Sequence, residues 1–242
     1  MHDTSTDRAR TSVPRWAEIC YHTVFTPPLG AGSVVLDLGA STAEFSRTVM
    51  GCAGCRCHAV EALPENAALI EAAPGLSVHN FAVGGTEGPV RIHSVDDEFA
   101  SAATELMPGQ STRGTADVPG TTLDGLFRLL SLDRAHLVKV DIEGAEFAMF
   151  GAASDDVLRR CDQITVEFHD FMDPRLTPAV EDVIARLRGL GFLALKFTRR
   201  FHGDVLFVDP ARTGLGGAEF LYARHLLRPA RGIRRILKRR FS

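Results

Sequence analysis

The stretch HLVKVDIEGAEFAMFG, residues 136–151, runs apolar through Leu137, Val138, Val140 and Ile142, carries two acids at its end, Asp141 and Glu143, and passes through a glycine into a helical pattern. Apolar residues at nearly every position describe a strand buried on both faces, as in a parallel sheet. Carboxylates at the end of such a strand point to a site. In open α/β sheets ligands lie at the carboxyl ends of the strands, near the point where strand order reverses.

The same kind of run recurs at 33–40 (SVVLDLGA), 57–62, 76–83, 163–170, 191–197 and 204–209, with helical patterns at 42–51, 64–73, 122–132, 144–150 and 177–190. This alternation predicts an α/β fold, a doubly wound and mostly parallel sheet with helices on both faces. Between the last two runs only TRRFHG remains, too short for a parallel crossover, so they form a C-terminal antiparallel hairpin. Residues 84–121 read as an insertion with short strands at PVRIHSV and TADVPGTTL, and Thr121 with Asp124 offers a capping box for the helix that follows. The expected divisions are an N-terminal helical or lid segment (1–30), the main domain (31–222) and a basic amphipathic tail (223–242).

At 242 residues with 45% hydrophobic content, the chain can bury a sizeable core. No run of 18 apolar residues exists and the N-terminus has no apolar stretch after its charges, so a soluble cytoplasmic protein is expected. Five cysteines, an odd number, fit a reduced compartment. Cys52, Cys55, Cys57 and His58 are crowded into seven residues with no second pair elsewhere, and read as small residues leading into a buried strand rather than a zinc site. Residues 224–242 hold eight Arg and Lys, leaving 19 basic against 30 acidic residues in the rest. Ile233, Ile236, Leu237 and Phe241 fall at helical spacing there, which suggests peripheral membrane contact through the tail. An acidic body argues against nucleic acid. The sequence carries no signal of oligomeric state.

Polar residues at strand ends carry the chemistry. The first strand of the sheet ends in Asp37-Leu38-Gly39-Ala40-Ser41, where a glycine lets the backbone turn tightly. The second ends in Glu61, 22 residues after Gly39, where an acid typically binds both ribose hydroxyls of an adenosine cofactor. Gly39-Ala40-Ser41-Thr42-Ala43-Glu44 lacks the further glycines that admit a pyrophosphate, which disfavours a nicotinamide oxidoreductase. A phosphate-free, cationic cofactor fits better, and S-adenosylmethionine is one. Asp37 would then address its ammonium group, and Asp141 its methionine part.

Val35-Leu36-Asp37-Leu38-Gly39-Ala40, Glu61-Ala62-Leu63-Pro64-Glu65-Asn66, Asn80-Phe81-Ala82-Val83-Gly84, Thr122-Leu123-Asp124, Val138 to Glu146 and Val166-Glu167-Phe168-His169 together resemble the FkbM family of S-adenosylmethionine-dependent methyltransferases. The resemblance implies a class I (Rossmann-like) methyltransferase fold and O-methylation of a small hydroxylated acceptor, a sugar or natural product. It implies cofactor contacts from Asp37, Gly39, Ala40, Ser41, Glu61, Ala62, Asn80, Phe81, Ala82 and Asp141. Ala43 stands where the family has glycine, and Ala62 where it has proline.

Removal of the acceptor's proton needs a base, and His169 is the expected one, oriented by Glu167 and Glu143. With Asp141 these are the catalytic candidates. The same four could instead hold Mg²⁺ or Mn²⁺. Other readings are an N-methyltransferase and a non-catalytic S-adenosylmethionine-binding protein recruited to membranes by its tail.

Overall fold

The structure is a computed structural model that describes residues 13–95, 102–103 and 112–231. Its elements are β1 (Trp16–Ile19), β2 (His22–Phe25), β3 (Val34–Leu38), α1 (Glu44–Ala53), β4 (Arg56–Glu61), α2 (Pro64–Leu69), β5 (Leu76–Asn80), β6 (Ala82–Val83), β7 (Gly88–Val95), β8 (Ala102–Ala103), β9 (Thr112–Thr121), α3 (Leu123–Leu129), β10 (Leu137–Val140), α4 (Glu146–Ala152), α5 (Asp155–Arg159), β11 (Gln163–Val166), α6 (Thr177–Gly189), β12 (Leu193–Lys196), β13 (Val205–Val208), α7 (Pro210–Thr213) and α8 (Gly217–Tyr222). A 3-10 turn spans His169–Phe171.

Seven strands form the central sheet in the order β12-β13-β11-β10-β3-β4-β5. β11, β10, β3, β4 and β5 run parallel. β13 is antiparallel to both β12 and β11, as the short connection requires. All five residues of β3 are buried. Leu36 and Leu38 pack with Val138, Val140, Phe150 and Phe168, while Val35 turns to the opposite face with Phe45 and Val49 of α1. Burying each such side chain stabilises the fold by about 1.5–3 kcal/mol. From β3 the chain winds outward through β4 and β5, then returns to β10 on the other side. The strand order thus reverses between β3 and β10, which places a crevice at their carboxyl ends.

Three expectations change. The run 76–83 divides at Phe81, and β6 joins a second sheet, β6-β9-β7-β8, in which β7 and β9 pair antiparallel from Gly88↔Gly120 to Val95↔Thr112. The insertion is therefore built on long paired strands. The cap of α3 is Thr122, whose Oγ1 accepts from Gly125 N at 3.0 Å, while Asp124 accepts from Ser154 N at 2.9 Å. Finally, the N-terminal segment, where described, is a β-hairpin rather than helical.

That hairpin turns through Cys20 and Tyr21, both at positive φ (45° and 66°), the conformation of a two-residue hairpin turn. It is fastened to the sheet by polar side chains. Gln163 brackets Phe25, accepting from its N–H at 3.1 Å and donating to its carbonyl at 2.8 Å. Asp204 accepts from Thr23 N at 3.0 Å and from Thr23 Oγ1 at 2.8 Å. Arg231, at the far end of the described chain, donates to Thr23 Oγ1 and to Trp16 O.

Cys55 and Cys57 are buried at the start of β4, and all five cysteines are free. Among the described residues no helix is long and apolar enough to cross a membrane. Ile233, Ile236, Leu237 and Phe241, on which the tail's amphipathic reading rests, lie outside the described residues.

Candidate active site

Gly39 ends β3 at φ +76°, and a Cβ there would lie 1.7 Å from the carbonyl oxygen of Asp141. Only glycine permits this approach, which brings the ends of β3 and β10 together. The amides of Gly39 and Ala40 both donate to Val60 O, at 2.9 and 3.1 Å, so the turn is closed onto β4 by its own backbone. Ala43, where the family has glycine, is fully buried at φ 59°. Glycine adopts such a left-handed backbone without the steric cost that alanine bears here.

Glu61 is buried at the end of β4. Its Oε2 accepts from Ser41 N at 2.7 Å and its Oε1 from Leu63 N at 2.9 Å, so one carboxylate ties together the two loops that flank the crevice. Burial pushes its pKa up, and the Leu63 and Ser41 amides oppose that. Each oxygen keeps a further lone pair for a hydroxyl. Asn80 Nδ2 donates to the carbonyls of Glu61 and Ala62, at 2.8 and 2.9 Å, and fixes the turn after β4. Ala62 and Phe81 are half-buried, and Ala82 is buried.

Asp37 is placed differently from its expected role. It is wholly buried, with Oδ2 accepting from Ser46 N (3.2 Å) and Ser46 Oγ (2.7 Å), so it holds the first turn of α1 instead of lining the opening. Its Oδ1 has no hydrogen-bond partner and lies 3.4 Å from Lys139 Nζ. Lys139 donates to Gly39 O at 2.6 Å and reaches Asp141 Oδ2 at 3.5 Å. Burial disfavours its charge, but Asp141 and Asp37 outweigh burial and raise its pKa. Asp141 is correspondingly held far below the ordinary range, burial being outweighed chiefly by Lys139.

His169 is buried, and both ring nitrogens face carboxylates: Nδ1 lies 3.0 Å from Glu146 Oε1, and Nε2 3.2 Å from Glu143 Oε2 and 3.8 Å from Asp141 Oδ1. Burial opposes the imidazolium, yet Glu143 and Glu146 prevail and push its pKa to about 11. With both ring nitrogens facing carboxylates, His169 is placed as a clamp between Glu143 and Glu146. Glu146 is fully buried and also accepts from the amides of Ile142 (3.2 Å) and Gly144 (3.1 Å), holding the loop in which Glu143 sits at φ 53°. Glu167, one residue past β11, is raised to about 7 by burial and by Asp141.

The structure thus brings together Asp141, Glu143, Glu167 and His169, as expected, and adds Glu146, Lys139 and His22. Five carboxylates, those of Asp37, Asp141, Glu143, Glu146 and Glu167, meet the two cations Lys139 and His169. This surplus of negative charge fits a cationic donor at the strand ends.

Residues 34–194 match the family model of the Methyltransferase FkbM domain, about two thirds of the chain. The chain belongs to the FkbM methyltransferase family. As a member of that family it is an S-adenosylmethionine-dependent methyltransferase with a class I fold. A search of curated proteins finds no match. Among solved structures, precorrin-6y C5,15-methyltransferase from Geobacter metallireducens is 16% identical (TM-score 0.39, covering 75% of this chain and 81% of that one). Aeropyrum pernix fibrillarin, in complex with natively bound S-adenosyl-L-methionine, is 9% identical (TM-score 0.41, 76% and 68%). These slight likenesses bear on neither substrate nor mechanism.

Of the residues that sequence reasoning missed, Glu146 and Lys139 both stand inside the stretch Val138 to Glu146 that carries part of the family resemblance. A charge inside a buried strand, as at Lys139, the third residue of β10, is a signal in itself, because a buried cation must be paired. His22 gave no such signal.

Proposed function

We propose that this FkbM methyltransferase transfers the methyl group of S-adenosylmethionine to a hydroxyl of a small molecule, a sugar or natural-product scaffold, in the cytoplasm. The observation that carries the reading is the Glu143–His169–Glu146 clamp beside the reversal point of the sheet. It fixes a carboxylate on a strained residue, and backbone strain of this kind concentrates at functional sites. Glu143 is partly exposed, its side chain 30% accessible, so it is open to an incoming hydroxyl.

S-adenosylmethionine, when bound, supplies a methyl carbon on a cationic sulfur; the acceptor oxygen forms a bond to that carbon as the carbon–sulfur bond breaks and its electron pair stays on sulfur. The protein's part is positioning and proton removal. Glu61 holds the ribose hydroxyls, with Ser41 beside it, and Ala62, Asn80, Phe81 and Ala82 line the adenine end. Asp141, held by Lys139, faces the positive sulfur end. Glu143 accepts the hydroxyl proton, and His169 keeps its carboxylate in place.

The test is a methyl-transfer assay on hydroxylated small molecules from the source's own extract, using donor labelled in the methyl group. Label should appear in a base-stable ether, and Glu143→Gln should abolish transfer while S-adenosylmethionine still binds. Label found on nitrogen, or a Glu143→Gln protein of unchanged turnover, overturns the reading.

A further inference from the structure

The hairpin places a histidine where the reaction as derived has no use for one. His22, in β2, is 1% exposed and its Nε2 has no hydrogen-bond partner, lying 3.7 Å from Asp141 Oδ2. A buried imidazole nitrogen without a partner is costly unless something is meant to fill the gap. The other ring nitrogen, Nδ1, lies 3.4 Å from Thr165 Oγ1 in β11. With the proton on Nδ1 and shared with that hydroxyl, Nε2 presents a bare lone pair towards the carboxylates, the arrangement in which metal-binding histidines are held. A donor atom from each of His22, Asp141 and Glu167 falls within 4.8 Å of the others, the three arriving from three separate segments of chain.

We infer that His22, Asp141 and Glu167 form a binding site for a divalent metal ion. The gap from Nε2 to Asp141 is too long for a hydrogen bond but is spanned by two metal–ligand bonds of about 2.0–2.2 Å. One imidazole with two carboxylates suits Mn²⁺, Fe²⁺ or Zn²⁺ better than Mg²⁺, which prefers oxygen alone. A second cluster, Asp141 with Glu143 and His169, has similar spacing, but both nitrogens of His169 are already committed to carboxylates, so the imidazole that can ligate is that of His22. The carboxylate surplus around Asp141 supplies charge for the ion. Three protein ligands leave coordination positions open, and an acceptor hydroxyl bound there would lose its proton more readily to Glu143. This last role rests on the proposed reaction; the site itself does not.

The experiment is calorimetric titration of the full chain with MnCl₂ after chelator treatment, without any methyl donor, and S-adenosylmethionine titrated separately. One Mn²⁺ per chain is expected, with at least about a 100-fold loss of affinity in His22→Ala and Glu167→Gln, and about a 10-fold loss in Thr165→Val, which removes only the supporting hydroxyl. Glu167→Gln changes no side-chain volume to speak of and guards against misfolding of the histidine variant; thermal unfolding is recorded for all three. Absence of Mn²⁺ binding, or binding that is equally tight in His22→Ala and Glu167→Gln, overturns the site. Either result leaves the methyl-donor titration to be judged on its own.

Discussion

Glu146 Oε1 lies 3.0 Å from His169 Nδ1 across 23 residues of sequence, and the same carboxylate accepts from the amides of Ile142 and Gly144. One buried side chain thus fixes both the loop that carries Glu143 and the imidazole that faces it. Replacing it by alanine removes one of the carboxylates around the buried imidazole and leaves the amides of Ile142 and Gly144 without their acceptor, which is expected to destabilise the protein by about 1–3 kcal/mol in chemical unfolding. Glu146→Gln keeps an acceptor for the amides, so it should lose less stability, while the imidazole resonances of His169 in NMR shift their titration towards lower pH. An unmoved titration would show that Glu146 does not hold the charge.

The raised pKa of His169 has a definite sign in stability. From an ordinary 6.5 it is lifted to about 11 by Glu143 and Glu146, with Asp141 facing the same ring. The folded state therefore binds this proton more tightly than the unfolded chain does. The contribution is fully present below about pH 6.5 and is lost as pH rises through about 11. Thermal midpoints in the presence of chelator should fall between these limits in the wild type, and less steeply in His169→Gln.

Gly39→Ala places a methyl group against Asp141 O and also asks alanine to hold a left-handed φ. Both β3 and β10 must give way. The variant is expected to lose at least about 2 kcal/mol of stability by denaturant titration, together with most of its S-adenosylmethionine affinity. A fully stable Gly39→Ala protein would mean that the two strand ends are not this close.

Glu61→Gln exchanges one acceptor oxygen for an NH₂ group, and this must then face either Ser41 N or Leu63 N, donor against donor. An unsatisfied amide of this kind costs about 1–3 kcal/mol. Affinity for S-adenosylmethionine should fall by at least about 10-fold, since the ribose loses its charged acceptor. Undiminished affinity by calorimetry would remove Glu61 from the ribose site.

The sheet was legible because β3, β10, β11 and β13 are buried at every position and are written mostly in apolar residues, the polar ones among them, Asp37, Lys139, Gln163 and Thr165, each having a partner. Asp141, Glu143, Glu167 and His169 were legible as polar residues following such runs. The N-terminal hairpin was not: its strands have four residues each, and its turn uses Cys20 and Tyr21 rather than glycine or asparagine. His22 was hidden with it. Glu146 was not singled out, because what makes it exceptional is a partner 23 residues on, in the 3-10 turn that follows β11. Asp37 was legible as an acid at a strand end, but not that Ser46, nine residues on, would claim it.

Arg231 reaches back to Thr23 and Trp16 in the hairpin that carries His22. During synthesis, then, the hairpin that carries His22 can be seated by Gln163 and Asp204 well before Arg231 is made. A nascent chain stalled before residue 231 would have the described strands of its central sheet in hand and still lack the last clasp on β1 and β2.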